Sequence, residues 1–202
     1  MFDVLIIGGG VSGMSCALIL GSAKKKTFVA DKKIGIITHQ KSSSLQEALF
    51  NNAYGIPPGT LGSDLLRQST AHLSQAYPHI QQIPDEKVLK IEGVFPGFLI
   101  TTNKKSYHTK NIVIGIGASN SFEVEGLMQY VEPHQKSLPE KQRIQLKNTD
   151  HKVAEGIYVV GTLAGWRSQL TIAAGSGASV ATDILTLWND GIQTHSHDSI
   201  KK

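Results

Sequence analysis

Gly8, Gly10 and Gly13 fall within the run Gly8-Gly9-Gly10-Val11-Ser12-Gly13, the spacing of a tight turn that opens a helix. The chemistry open to such a turn is anion binding. A pyrophosphate reaches a helix N-terminus only where the chain bends sharply and no Cβ intrudes. Gly8 permits the bend, Gly10 the approach, and Gly13 close packing of the helix on its strand. Free N–H groups around Val11 and Ser12, with the helix dipole, then hold the negative charge. Asp31 lies about 20 residues on, where a carboxylate accepts hydrogen bonds from a ribose, and Lys32 adjoins it. An acidic group there suits the unphosphorylated ribose of FAD or NAD and disfavours NADP.

Other residues offer weaker chemistry. Cys16 falls one turn into the expected helix, where a thiol pKa can drop. Its neighbours Met14, Ala17 and Leu20 are apolar, so a small buried packing residue is the preferred reading. His195, His197 and Asp198 are competent metal ligands in type. They sit in a polar tail, and a solvated segment from 191 to 202 explains them better, so no metal site is expected. No Tyr-x-x-x-Lys pair of the short-chain dehydrogenase type is present, which counts against a simple NAD enzyme.

The elements that must position the turn are legible around it. Phe2 to Ile7 is a continuous apolar run, as in a parallel strand covered on both faces. Met14 to Leu20 reads as a buried helix. Thr27 to Ala30 reads as the second strand, ending at Asp31. Residues 62–77 form a helical pattern with Ser63 as its N-cap, closed by Pro78. Residues 86–109 suggest a small antiparallel meander with an Asn-Lys-Lys turn. Ile112 to Gly117 is another buried strand, and Ile157 to Val160 the last. A further helix is expected near Leu138 to Leu146, and the longest over 169–189. The fold class is α/β, Rossmann-like, a parallel sheet with helices and a small meander. Residues 1–190 form one domain, its segments 1–118 and 153–190 joined by an irregular stretch, 119–152.

The composition excludes several classes. The chain has 202 residues, 40% hydrophobic and 18% charged, with net charge +4. Its lysines come in short pairs and triplets without interleaved aromatics, which argues against nucleic acid. One cysteine rules out an internal disulfide or a Cys-x-x-Cys pair. No basic leader and no stretch long enough to span a bilayer stands out, so a soluble cytoplasmic protein is expected.

Several segments, in order, resemble the thioredoxin-reductase-like branch of the FAD-dependent pyridine nucleotide-disulfide oxidoreductases. They are the glycine turn, Asn52-Ala53-Tyr54-Gly55-Ile56-Pro57, Gly115-Ile116-Gly117-Ala118, Gly156 to Thr162, and Gln169 to Ala181. The resemblance implies FAD as cofactor, with Asn52 beside the isoalloxazine and Val88 near the adenine. It further implies Gly117, Ala118, Gly161 and Thr162 along the cofactor, and a closing helix whose N-terminus, Gln169 and Leu170, faces the flavin ring. The loop of Trp166 and Arg167 would border that ring. Two departures follow. Only residues 119–152 stand where the family places its NAD(P)H domain, and Thr162 replaces the family's aspartate. The resemblance therefore implies a small FAD-binding oxidoreductase with an external electron donor and acceptor, either small molecules or a redox protein. A non-catalytic FAD- or nucleotide-binding module, or a subunit of a larger redox assembly, is the alternative. Flavin-domain surface exposed by the missing domain would favour a homodimer.

Overall fold

The computed structural model describes residues 1–40 and 43–198. The strands are β1 (Phe2–Ile7), β2 (Ile34–Thr38), β3 (Leu49–Phe50), β4 (Thr60–Leu61), β5 (Gln81–Pro84) and β6 (Val88–Val94). They continue as β7 (Gly97–Thr102), β8 (Ser106–Ile114), β9 (Val131–Pro133), β10 (Ile144–Leu146), β11 (Lys152–Ala154) and β12 (Ile157–Val159). The helices are α1 (Val11–Ser22), α2 (Gly62–Ala76) and α3 (Leu170–Trp188).

Among the described residues eight strands share one sheet, in the order β11-β12-β8-β1-β2-β5, with β7 on β8 and β6 on β7. The β12-β8-β1-β2-β5 run is parallel, and β6, β7 and the start of β8 form the antiparallel meander. Alternation along β1 explains why both faces are covered. Val4 and Ile6 point into one core with Cys16, Leu20, Val180 and Ile184 of the helices. Leu5 and Ile7 point into the other, with Ile100, Ile112 and Leu127 on the meander side. A strand with two buried faces must be apolar at every position, and β1 is from Val4 on.

The α/β class, the sheet and the meander are as expected, with five local corrections. The second strand is Ile34–Thr38, not Thr27–Ala30. Residues 26–32 form hydrogen-bonded turns, with Ala30 N–H donating to Lys26 and Lys32 N–H to Val29. Val29 is apolar because it plugs the helix-side core. Asp3 N–H donates to Lys33 at 2.8 Å, which sets the register Val4 against Ile34. The helix at 138–146 is one 3-10 turn, Pro139–Lys141, ended by Gln142 at φ 46°. The join 119–152 therefore carries a two-stranded ribbon, β9 on β10. Residues 106–114 form one continuous strand rather than two. Ser63 does not cap α2, whose capping position is Leu61. The tail is docked as far as it is described: Ser22 donates to Ser196 at 3.0 Å, and Tyr77 to Asp198 at 2.7 Å.

α3 is long and apolar enough to cross a membrane by length and composition, contrary to expectation. Its apolar face is accounted for within the fold: Val180, Ala181, Ile184 and Leu185 are fully buried against α1 and the sheet. The crossing with α1 is tight. A Cβ at Gly177 would overlap the Ser12 carbonyl oxygen.

One buried charge ties the meander together. Glu86, 5% exposed, accepts hydrogen bonds from Thr102 at 2.7 Å and Tyr107 at 2.8 Å. Burial alone would lift its carboxyl. The two hydroxyl bonds and the charges of Lys105 and Lys104 outweigh burial and hold it below the usual carboxylate range. The stability it confers is therefore complete above the carboxyl pKa of the unfolded chain. It fades as pH falls through the lower folded value. Glu86→Gln should lower unfolding stability by about 2 kcal/mol at neutral pH, the worth of hydrogen bonds to a charged group. Urea titrations at successively lower pH should show the gap to the parent closing.

Candidate functional site

The carboxyl ends of three parallel strands converge on the start of α1. β1 runs into Gly8, β8 into Gly115, and β12, through Val160, into Gly161. Gly8 takes φ 114°, a conformation open to glycine, and a Cβ there would overlap the Gly115 carbonyl. A Cβ at Gly13 would overlap the Gly8 carbonyl, so the helix starts directly against the strand end. Ser12 is buried at the centre. Its hydroxyl would lie 3.1 Å from a Cβ at Gly115 and 2.8 Å from one at Gly161. Gly161 N–H donates to Ser176 at 2.8 Å, which locks α3 onto the same point.

This arrangement leaves the α1 N-terminus free to bind. Its capping residue, Gly10, makes no side-chain cap, and the first turn carries no acidic residue. Among the described residues, the backbone donors of the first turn thus lack a side-chain acceptor. A Cβ at Gly10 would meet nothing within 4 Å, so the space an anion needs is open. The other long helices differ. α2 has Asp64 in its first turn, and Gln169 Oε1 caps α3 by accepting from Thr171 N–H at 2.8 Å and Ile172 N–H at 3.3 Å.

Beside the turn, Gln40 Nε2 donates to the Gly9 carbonyl at 2.7 Å. From there a cavity of about 500 Å³ extends between the ends of β2 and β5 and the face of α2. Its lining includes Thr38, Gln40, Gln46, Ser74, Gln82 and Asp85. Gln40 is the residue missed from sequence. It lies two residues past the carboxyl end of β2, the strand-end position expected for Asp31, and the signal for it was the true strand, Ile34–Thr38.

Residues 2–166 match the pyridine nucleotide-disulphide oxidoreductase family. The chain belongs to this family. It is similar to the uncharacterized oxidoreductase CzcO of Bacillus velezensis, 25% identical over 194 residues, 91% of this chain and 52% of that protein. It is also similar to ferredoxin–NADP reductase 2 of Shouchella clausii, 31% identical over 119 residues, 58% of this chain and 35% of that one. The chain thus spans about half the length, or less, of these curated relatives. Among solved structures, a thioredoxin reductase from Gloeobacter violaceus superposes with TM-score 0.71 at 14% identity, covering 98% of each chain. An oxidoreductase from Agrobacterium tumefaciens gives 0.70 at 14%, covering 92% of this chain and 98% of that one. At such identity these two show the fold alone, the FAD-binding Rossmann-like domain of the thioredoxin reductase fold.

Within that family fold, the sequence-based site residues divide. Gly8, Gly10, Val11, Ser12, Gly13 and Gly161 lie together at the cradle. Gly117 follows Gly115 by two residues, at φ 84° with open space on its Cβ side. Ala118 is buried, and its carbonyl accepts from Ile144 N–H at 3.1 Å. Thr162 is half-buried in the turn after β12. Gln169 and Leu170 start α3, with the Gln169 side chain engaged in the cap. Asp31 and Lys32 are corrected. They precede β2 at the amino edge of the sheet, whereas the glycine turn lies at the carboxyl edge. The length of β2 separates them, about 15 Å at the usual strand rise. Asn52 lies exposed in the loop between β3 and β4. Val88 packs in the meander-side core, three residues past Asp85 of the cavity lining.

The remaining candidates resolve simply. Cys16 is fully buried, and desolvation pushes its thiol pKa up, so it is a packing residue. Asp198 is held by Tyr77, and the His195 and His197 rings lie 4.8 Å apart. Among the described residues no three such groups cluster as metal ligands. Trp166 stacks on His151, with centroids 5.7 Å apart and planes at 12°, while Lys136 Nζ sits 5.2 Å from the indole centre. Arg167 is exposed.

Proposed function

We propose that this chain is an FAD-binding oxidoreductase whose electron donor and acceptor come from outside it. The observation that carries the reading is the uncapped N-terminus of α1. It has open space at Gly10 and is gripped by the glycine-bearing ends of β8 and β12. Donors and space of this kind suit the pyrophosphate of a dinucleotide. Membership of the family favours FAD as that dinucleotide, and the cavity beside Gln40 offers room for its adenosine end. With Asp31 remote, ribose recognition falls to the amides and hydroxyls of that cavity rather than to a carboxylate at the end of β2.

When bound, FAD supplies the electron-transfer chemistry. The chain's residues bind and orient it. The first-turn N–H groups hold the phosphates, and the Thr162 hydroxyl can donate to or accept from the ribityl side. The segment 119–152 folds as a ribbon and turns, whereas a second nucleotide-binding domain takes on the order of 100 residues. With a single, buried cysteine, no disulfide within the chain can relay electrons.

Purified protein should be yellow, release FAD identifiable by mass on denaturation, and bleach with an added reductant. A colourless protein that cannot be reconstituted with FAD would sink the reading. The non-catalytic FAD module is favoured by one observation: Gln169 already occupies amides of α3 that would otherwise face a substrate or ring. Bound flavin that no donor reduces faster than free flavin would establish that alternative.

A further inference from the structure

A second cavity, about 360 Å³, lies between the β9–β10 ribbon and the turn after β12. That volume suits a small ligand. Its walls come from the short join, Glu132 to Asn148, and from Ala164 and Gly165, two and three residues past Thr162. Its lining side chains are polar except for Ala164, so an apolar ligand has little to bury against. Two of them are the lysines Lys136 and Lys147, and among the described residues neither forms an ion pair.

The single carboxylate in the wall is already engaged. Glu132 Oε1 accepts from Gln145 Nε2 at 2.7 Å and from Gln135 Nε2 at 3.4 Å. Gln145 is itself buried, 7% exposed, and its Oε1 accepts from Gln135 N–H at 3.0 Å. The floor is therefore a hydrogen-bonded amide–carboxylate network. Asn148 Nδ2 bridges the Leu146 carbonyl at 2.7 Å and the Ala164 carbonyl at 3.3 Å, tying ribbon to turn. A Cβ at Gly165 would press on Gln145 Oε1 at 2.7 Å, so the two walls meet there. Lys136 is steadied over Trp166, which His151 backs.

We infer that this cavity binds a small organic anion, a carboxylate whose charge meets Lys136 and Lys147 and whose polar body meets the amide-lined floor. It rests on the proposed function in one respect: the wall shared with the Gly161–Ala164 turn makes this anion the substrate class of the oxidoreductase. Recognition then falls to residues of the short join between the two segments of the sheet.

Malonate, with malonamide as its uncharged counterpart, is the probe. Trp166 fluorescence reports binding in a Trp188→Phe background, which removes the chain's other indole. Malonate should give a saturable change, and malonamide should give none over the same range. Lys136→Gln with Lys147→Gln should weaken binding by roughly tenfold or more, while Lys24→Gln with Lys26→Gln, equal in net charge, should titrate like the parent. No saturable response, an equal response to malonamide, or equal weakening by both pairs would overturn the inference. Flavin absorbance of the same samples reads the proposed function separately. Anion binding by a colourless protein would keep the anion site and remove its redox role.

Discussion

Gly10→Val should give a soluble, folded protein that has lost its flavin. Gly10 takes φ −76° and ψ −175°, extended backbone that valine readily adopts. A Cβ there meets no described protein atom within 4 Å, so the branch point of the new side chain fits without displacing the fold. The space it fills is the approach to the first-turn N–H groups of α1. A phosphate kept an ångström or two further out loses short charge-assisted hydrogen bonds, each worth about 1.5–3 kcal/mol. Two such bonds correspond to roughly a hundredfold or more in affinity. The expected result is unchanged melting of the apo-protein with FAD binding weakened by at least that factor, read by flavin fluorescence titration. Melting lowered in step with the lost binding would show that Gly10 acts through the fold.

Gly177→Val should behave in the opposite way. Gly177 lies in α3 where that helix crosses α1, and a Cβ would overlap the Ser12 carbonyl oxygen. That atom belongs to helix backbone and cannot swing aside. Relief requires the helices to part, which opens the core around Val180, Ala181 and Cys16. Overpacking that moves backbone falls in the upper range of single substitutions, about 4–5 kcal/mol. Against a total stability of about 5–15 kcal/mol this approaches unfolding. Urea denaturation should show a midpoint sharply lowered, or no soluble protein at all. A midpoint within experimental error of the parent would contradict the close crossing.

The pair also shows what could be read without the structure. The glycine turn was legible because its chemistry is local: three glycines, a preceding apolar strand and a following apolar helix occupy one short window. The strands β1, β8 and β12 and the helix α3 were legible because burial on both faces, or a long apolar helix, writes itself into consecutive residues. The second strand was misplaced because Thr27 to Ala30 and Ile34 to Ile37 are both short, largely apolar runs rich in strand-forming residues. Only the anchoring of Asp3 on Lys33 decides between them, and that contact spans about 30 positions. Asp31 followed the strand into error, and Gln40 was overlooked for the same reason. The helix expected at 138–146 failed because the left-handed Gln142 ends the turn begun at Pro139 after three residues. The cavity between ribbon and turn was invisible in sequence, since the β9–β10 pairing that builds its wall lies in a stretch read as irregular.

The crossing at Ser12 has a consequence for how the protein is made. Ser12 is held by Gly115, Gly161 and Gly177, so the cradle is closed by α3, which leaves the ribosome long after the glycine turn itself. Until α3 emerges, the glycine turn lacks the partner that fixes its helix. Cofactor uptake should therefore wait for α3 to emerge, and nascent chains arrested before Leu170 should be unable to retain flavin.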